Sequence, residues 1–192
     1  ERRSFSAGKE PLVIEVKGRR LGVVVCEDAW VPGPVALAKE AGAELLLLPN
    51  ASPFSEIKLK NRLDMLRDRQ HECGLPIVYG NLVGGQDELV FDGRSMLVDA
   101  NGGVSIRNQP CEENLLIACH EPDSGKLWFE GEDDVSYLDD KEICLGEDLI
   151  PCIYTIVVRG LKDYVLKNGF TDVVLGLSGG IDSALTLAIA VD

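Results

Sequence analysis

The sequence lacks the patterns that mark several classes of protein. It has only two histidines, and none of its six cysteines is spaced as Cys-x-x-Cys, so no zinc-binding cluster is indicated. No apolar run approaches the roughly 20 residues that a membrane-spanning helix needs. Basic residues are outnumbered, 19 against 32 acidic residues, and the net charge of −13 argues against binding to nucleic acid.

The chain also lacks the features of a secretory start. Its first residues, ERRSF, contain neither an initiating methionine nor an apolar signal core. We therefore expect the chain to be an internal piece of a longer protein. Without a secretory signal, a reducing cytoplasm is the expected compartment, and most of the cysteines are expected to be packing or surface residues.

What the sequence does contain is a succession of short apolar runs and helical patterns. Residues 21–25, 45–48 and 77–83 are apolar runs that predict strands buried on both faces. Helices are predicted over residues 34–43 and 56–73.

Turn signals follow these runs. Residues 88–91 and 95–98 flank Asp92-Gly93, which predicts a hairpin. Asn101-Gly102-Gly103 predicts a second turn, and residues 115–119 predict a further strand.

The chain divides into two predicted domains. Residues 1–125 combine buried strands, helices and hairpins, which predicts a layered α/β domain. Acidic residues are concentrated after residue 130, and the low periodicity there predicts a linker over residues 126–152.

Residues 153–192 predict the start of a second α/β domain. Apolar residues recur at helical spacing over 153–168, and Gly169 lies where a C-terminal cap belongs. A predicted strand over 173–177 leads into a glycine-rich loop and a helix beginning near Asp182. One strand, loop and helix cannot form a core alone, so this is expected to be the first unit of that domain.

Cys26 is a candidate nucleophile because it follows a buried strand at a corner of the chain. A side chain at such a corner is exposed to substrate, and the backbone N–H groups beyond it can face a developing oxyanion. Its position alone fits a small core cysteine equally well. His71 and His120 are better interpreted as surface or satisfied histidines, so a carboxylate and a lysine are left as partners for a catalytic Cys26.

A glycine-rich loop, Gly176-Leu177-Ser178-Gly179-Gly180-Ile181-Asp182-Ser183, is a candidate phosphate site. Glycines allow a tight bend that presents N–H groups, and the following helix N-terminus favours an anion. Ser178 and Ser183 can donate hydroxyl groups to phosphate oxygens, and Asp182 can recruit Mg²⁺. The simpler alternative is an ordinary glycine turn with Asp182-Ser183 as a helix cap.

Several blocks around these residues resemble known families. Cys26-Glu27-Asp28-Ala29-Trp30, Asn50-Ala51-Ser52-Pro53-Phe54 and the run over residues 78–95 resemble the nitrilase-type glutaminase domain of glutamine-dependent NAD synthetases. Residues 178–183 are similar to the pyrophosphate loop of the ATP pyrophosphatase family, which GMP synthetases, asparagine synthetases and tRNA-thiolating enzymes share. Both features in one chain resemble the architecture of glutamine-dependent NAD synthetases.

The resemblance implies an α/β fold: a partial nitrilase-type α-β-β-α sandwich followed by the first strand-loop-helix unit of a Rossmann-like ATP pyrophosphatase domain. It implies that Cys26 is the nucleophile of a Glu-Lys-Cys triad and that the N–H of Glu27 completes the oxyanion hole. Ser52 and Lys58 would hold glutamine. Gly176, Leu177, Ser178, Gly179, Gly180, Ile181, Asp182 and Ser183 would bind ATP, with Asp182 also binding Mg²⁺.

The implied reaction of the parent protein is the adenylation of deamido-NAD by ATP, followed by displacement of AMP by ammonia from glutamine. The expected partners are glutamine, deamido-NAD and ATP, and the full-length protein is expected to be a homo-oligomer. The family's glutamate and lysine lie upstream of the matching segment, so the chain alone is expected to be inactive. The alternatives are a nitrilase-type amidase with an unrelated tail and a non-catalytic fragment.

Overall fold

The computed structural model describes residue 6 and residues 8–106, 109–131 and 149–192. The strands of this part are β1 (Leu12–Val16), β2 (Arg19–Val23), β3 (Leu45–Asn50), β4 (Ile77–Asn81), β5 (Val83–Gln86), β6 (Leu89–Asp92), β7 (Met96–Val98), β8 (Val104–Ile106), β9 (Ala118–Glu121) and β10 (Lys126–Phe129). The helices are α1 (Pro34–Glu40), α2 (Lys58–Cys73), α3 (Leu149–Lys167) and α4 (Ile181–Val191), with a short 3-10 helix over Cys26–Trp30.

A six-stranded sheet, in the order β1-β2-β3-β4-β7-β8, forms the centre of the first domain. Strands β2, β3 and β4 are parallel neighbours, whereas β1, β7 and β8 pair antiparallel. In β3, Leu46 and Leu48 belong to one hydrophobic cluster, and Leu45 and Leu47 belong to or pack against another. The apolar run of β3 is therefore buried on both faces, as predicted.

Helices α1 and α2 cover one face of this sheet. Leu63 and Leu66 of α2 are almost fully buried, and burial of each stabilises the fold by roughly 1.5–3 kcal/mol. A Cβ atom added at Gly22 would lie 2.8 Å from Leu46 Cδ2 and 3.1 Å from Ala38 Cβ, so β2 needs a glycine where α1 packs. Helix α2 ends at Gly74, whose φ of +66° confirms the predicted glycine cap.

The β9–β10 hairpin covers the other face of the sheet. Leu127 and Phe129 of β10 are buried in one cluster with Leu45 and Leu97. Strand β10 lies inside the segment 126–152 that the sequence predicts to be a linker, so the core of the first domain extends to Phe129. Residues 132–148 of that segment lie outside the described residues.

The predicted hairpin across Asp92-Gly93 is wrong. Strand β6 pairs with β5 across a turn at Asp87, and β7 pairs with β4 and β8 instead. The Asp92-Gly93 segment passes from the two-stranded sheet of β5 and β6 to the six-stranded sheet rather than turning back, and Asp92 forms a buried ion pair with Arg62 there. The second predicted turn, at Asn101-Gly102-Gly103, does connect β7 and β8.

Helix α3 packs against the β5–β6 hairpin of the first domain. The carboxylate of Asp163 accepts a hydrogen bond from the Gly85 N–H at 2.6 Å, and Arg159 Nε donates to the same carboxylate oxygen at 2.9 Å. A Cβ atom added at Gly85 would lie 3.2 Å from Gly160 Cα, and one at Gly160 would lie 2.8 Å from Val90 Cγ2. The close approach therefore depends on glycine in both elements.

The predicted strand over residues 173–177 does not form in this structure. A strand requires a hydrogen-bonded neighbour, and no strand of the described residues lies beside this segment. Val174 is fully exposed, and Leu177 and Ile181 are largely exposed. Helix α4 follows at Ile181, close to the predicted start. None of the helices in the described ranges combines the length and apolar character needed to cross a membrane.

Candidate functional site

Cys26 lies at a sharp corner three residues after the end of strand β2. Its φ of +45° is in the left-handed region that residues other than glycine rarely adopt. The corner is fixed by backbone hydrogen bonds from Val24 N to Leu47 O at 3.0 Å and from Asp28 N to Val25 O at 3.1 Å. The partly buried thiol of Cys26 has no hydrogen-bond partner among the described residues, including the two histidines. This geometry suits a nucleophile presented to a substrate better than a packed core cysteine.

Lys58 lies beside this corner rather than in open solvent. It is the first residue of α2, and its ammonium group is 4.3 Å from the ring centroid of Trp30, the last residue of the 3-10 helix. A cation at this distance is attracted to the face of an indole ring. Glu27, the second residue of the same 3-10 helix, has an exposed side chain. The structure therefore brings Lys58 to the element that begins with Cys26.

Ser52 lies just beyond the end of β3, in a loop whose backbone is held by β4. Its backbone N–H donates to Asn81 Oδ1 at 2.8 Å, and Asn81 Nδ2 donates back to the Ser52 carbonyl at 3.2 Å. The residue is 4% exposed. Because β2, β3 and β4 are parallel, Cys26, Ser52 and Asn81 all lie at the carboxyl end of the same three strands, which is where open α/β sheets commonly bind ligands.

Arg62 is a residue of this site that the sequence interpretation missed. Its guanidinium is fully buried and forms a bidentate pair with Asp92, at 2.8 Å to Oδ1 and 3.1 Å to Oδ2. The same group donates to Ser52 Oγ at 3.1 Å and to the Ser52 carbonyl at 2.7 Å. Breaking a buried ion pair by removing one partner typically costs about 3–5 kcal/mol.

A sequence signal for Arg62 does exist. It precedes Leu66 by four residues on α2, at the spacing that places two side chains on one helix face. An arginine on the apolar face of a helix requires a buried partner, but the pattern cannot tell that the partner is Asp92, which is 30 residues away.

Tyr79 of β4 is a further buried residue close to Ser52 and Arg62. Burial raises the pKa of Tyr79 to about 12; nearby Arg62 and the Ser52 hydroxyl act in the opposite direction, and Asp92 and Cys26 add to the rise. The phenol is 1% exposed and makes no hydrogen bond of normal geometry to any described residue, although Ser52 is close enough to affect its pKa. Tyr79 therefore stays protonated at neutral pH.

The glycine-rich loop forms a second, separate candidate site. Gly179 has a φ of +85°, which requires glycine or a strained residue. The Ser178 and Ser183 hydroxyl oxygens are 3.1 Å apart, and Ser183 Oγ also accepts from the Ser178 N–H at 3.3 Å and donates to the Gly180 carbonyl at 3.0 Å. The loop ends at the N-terminus of α4, with Asp182 exposed in its first turn. Cβ atoms added at Gly176 and Gly179 would meet no atom within 4 Å, so the loop has an open face.

Comparison with known proteins finds two families that match different parts of the chain. Residues 1–128 match the family described as carbon-nitrogen hydrolase, and residues 153–192 match the family described as NAD synthase. The glutamine-dependent NAD(+) synthetase of Xanthomonas campestris is 45% identical over the whole chain, and that of Aquifex aeolicus is 40% identical. The chain spans about a third of the length of these curated relatives, 34% and 38%.

Solved structures give the same result. A glutamine-dependent NAD+ synthetase from Acinetobacter baumannii, solved in complex with ADP, aligns with a TM-score of 0.79 at 37% identity and covers 99% of this chain and 34% of its own. A mutant amidase from Nesterenkonia sp. AN1 in complex with butyramide aligns with a TM-score of 0.50 at 31% identity over 57% of this chain and 42% of its own. The chain therefore belongs to the carbon-nitrogen hydrolase family through residues 1–128, and its residues 153–192 are a segment of an NAD synthase domain.

Proposed function

We propose that this chain acts as part of a glutamine-dependent NAD synthetase. The observation that carries the proposal is the presence, in one chain, of a strained cysteine corner and a serine-glycine phosphate loop, in segments that match the hydrolase and synthase families respectively. The relatives that match over the whole chain are named for that activity. The expected parent reaction converts deamido-NAD, ATP, glutamine and water to NAD, AMP, pyrophosphate and glutamate.

At the first site, Cys26 attacks the side-chain amide of glutamine. The sulfur forms a glutamyl thioester, the amide nitrogen leaves as ammonia, and water then releases glutamate and restores the thiol. The N–H of Glu27, one residue beyond the corner, stabilises the oxyanion. Lys58 attracts the α-carboxylate, and Ser52 holds the substrate. The resemblance assigns proton transfer and further oxyanion stabilisation to a glutamate and a lysine upstream of the matching segment.

At the second site, residues 176–183 bind the phosphates of ATP. The open loop, its two paired hydroxyl groups and the N-terminus of α4 fit an anion. Within the described residues no three His, Cys, Asp or Glu side chains converge as a metal site. A magnesium ion held by Asp182 would therefore take its other ligands from phosphate oxygens and water, as this ion commonly does.

The two sites are linked by ammonia. Free ammonia is mostly protonated and non-nucleophilic at neutral pH, so we propose that it passes inside the protein to the adenylated deamido-NAD. The cytoplasmic location and the homo-oligomeric state of the full-length protein stay predictions.

An amidase with an unrelated tail is not favoured. The amidase likeness covers 57% of this chain, whereas the synthetase likeness covers 99% and includes the phosphate loop. ATP-dependent adenylate formation would distinguish the two activities directly.

The proposed function is tested with Cys26→Ala in the full-length protein that carries this chain. Glutamine-driven NAD synthesis should be lost, while ammonia-driven synthesis should stay near the parent rate. Cys119→Ala is the matched control, since Cys119 is also a partly buried free cysteine and lies on β9. Normal glutamine turnover by the Cys26→Ala protein would refute the assignment.

A further inference from the structure

We propose that Arg62, anchored by Asp92, is a positioning residue for glutamine binding, because it orients the Ser52 hydroxyl so that its proton faces the substrate. This inference rests on the proposed function, since it names the residue that prepares the glutamine site.

The backbone of the Ser52 loop is held independently of the Ser52 side chain. Leu82 N donates to Asn50 O at 3.0 Å, and Phe54 N donates to Val90 O at 2.8 Å. With the contacts of Asn81 already described, the loop is tied to β4 and β6 on both sides of Ser52. What these contacts leave undetermined is the direction of the hydroxyl group.

Arg62 determines that direction. Its Nε–H donates to Ser52 Oγ at 3.1 Å. A guanidinium has donors and no acceptor, so the hydroxyl proton cannot point toward Arg62 and must point away from it. The phenol of Tyr79 lies close to this hydroxyl and stays protonated, so it can donate its own proton to Ser52 Oγ and need not accept the serine proton. The hydroxyl is left as a donor for an acceptor atom of the bound substrate.

Asp92 makes this arrangement rigid. Its two carboxylate oxygens hold both terminal nitrogens of Arg62, which fixes the plane of the guanidinium and therefore the direction of Nε–H. A lysine at this position keeps the charge but lacks the planar set of N–H donors that binds Asp92 and Ser52 at the same time.

The test uses Arg62→Lys in the full-length protein, with Arg69→Lys as the matched control. Arg69 is a second buried arginine on α2, and it pairs with Glu72 of the same helix. We expect Arg62→Lys to raise KM for glutamine about tenfold or more. The rate of ammonia-driven synthesis and KM for ATP should change little, and Arg69→Lys should leave KM for glutamine at the parent value.

A purely structural role predicts a different result. In that case Arg62→Lys would reduce glutamine-driven and ammonia-driven synthesis alike, or Arg69→Lys would raise KM for glutamine as much, and either outcome overturns the proposal. If Arg62→Lys does not fold, Asp92→Asn carries the same test with Asp99→Asn as its control. Asp99 is also buried, and it binds the backbone N–H groups of Asn101 and Gly103, in the β7–β8 turn.

The two proposals fail separately. If Cys26→Ala keeps its glutamine-driven activity, the proposed function is wrong. If Cys26→Ala loses that activity but Arg62→Lys and Asp92→Asn bind glutamine as the parent does, only the role of Arg62 is wrong.

Discussion

The corner at Cys26 and the loop at residues 176–183 differ in what holds their shape. The Cys26 corner lies on a six-stranded sheet, and the adjoining Ser52 loop is fixed by residues 10 to 36 positions away in sequence. The phosphate loop is held by hydrogen bonds between residues two to five positions apart, and its surroundings are exposed. One site is assembled by the fold, whereas the other is formed by a short segment of sequence.

This difference has a physical basis. A glycine with positive φ, two serines at suitable spacing and a helix N-terminus can satisfy one another within a single turn. A buried guanidinium cannot, because it needs a carboxylate that only tertiary structure brings to it. The comparison predicts that distant changes affect the Cys26 site, while the phosphate loop responds mainly to changes within it.

The largest effect should be seen when this chain is separated from the rest of the full-length protein. Purified alone, this chain should neither release glutamate from glutamine nor make NAD. The base and the oxyanion cation of the triad are expected from outside these residues, and such losses cost orders of magnitude in rate. Assays for both products beside the full-length protein check this. Substantial activity would place the missing catalytic groups within the chain.

The next effect concerns the phosphate loop itself. Asp182→Ala in the full-length protein should lower ATP-dependent adenylation by about 100-fold or more with either nitrogen source, because the variant loses the side chain proposed to bind magnesium at the phosphates. Glutamine hydrolysis at Cys26 should survive, although coupling between the sites can reduce it. Asp172→Ala is the control, since Asp172 is exposed and precedes the loop. Adenylation at the parent rate would refute the magnesium role.

A smaller effect is expected at the contact between helix α3 and the β5–β6 hairpin. Burial alone would raise the pKa of Asp163, but the Gly85 N–H and Arg159 outweigh burial and lower it. A lowered pKa means that the contact contributes stability above the ordinary value of 3.8 and loses it as the pH falls through the lower folded value.

Asp163→Asn should therefore weaken the packing of α3 by about 1–3 kcal/mol at neutral pH. Its difference from the parent should shrink as the pH falls below the ordinary value of 3.8 and through the lower folded pKa, where Asp163 of the parent becomes protonated. Thermal unfolding of both proteins across pH measures this. Asp64→Asn is the control, because the exposed Asp64–Lys60 pair should contribute at most about 1 kcal/mol. A difference that grows in acid would contradict the sign.

The smallest effect should follow from one methyl group. Gly179→Ala places a side chain at φ +85°, which costs about 1–2 kcal/mol, and should raise KM for ATP about fivefold to thirtyfold. Gly176→Ala has as much room without a left-handed backbone, so it controls for the added methyl group. An unchanged KM for ATP in Gly179→Ala would show that the loop shape is not set locally.

Much of the fold could be predicted because its signals are local. The apolar run of β3, the helical pattern of α2 and its cap at Gly74 each depend on neighbouring residues, and each is confirmed. Strand pairing could not be predicted in the same way. Asp92-Gly93 has the composition of a hairpin turn, but β6 pairs with β5 and β7 pairs with β4 and β8.

The candidate site follows the same division. Cys26 and Ser52 lie in short blocks of sequence that resemble a known family, and Lys58 follows Ser52 by six residues. These residues lie near the carboxyl ends of neighbouring strands or beside the 3-10 helix that begins with Cys26. Arg62 and Tyr79 could not be found this way, because their contacts cross between separate elements. The strand expected at residues 173–177 fails for a related reason, since its edges require neighbours that the described residues do not supply.

Because of its hydrogen bond to Asp163, the amide of Gly85 can serve as a hydrogen-exchange probe of the contact between α3 and β5. An amide exchanges its hydrogen with water only when its hydrogen bond opens. The Gly85 N–H is buried and donates across the contact between β5 and α3, so its exchange reports each separation of the two elements. Its exchange rate, compared with that of an amide inside α2, would measure how often the synthase segment leaves the hydrolase domain.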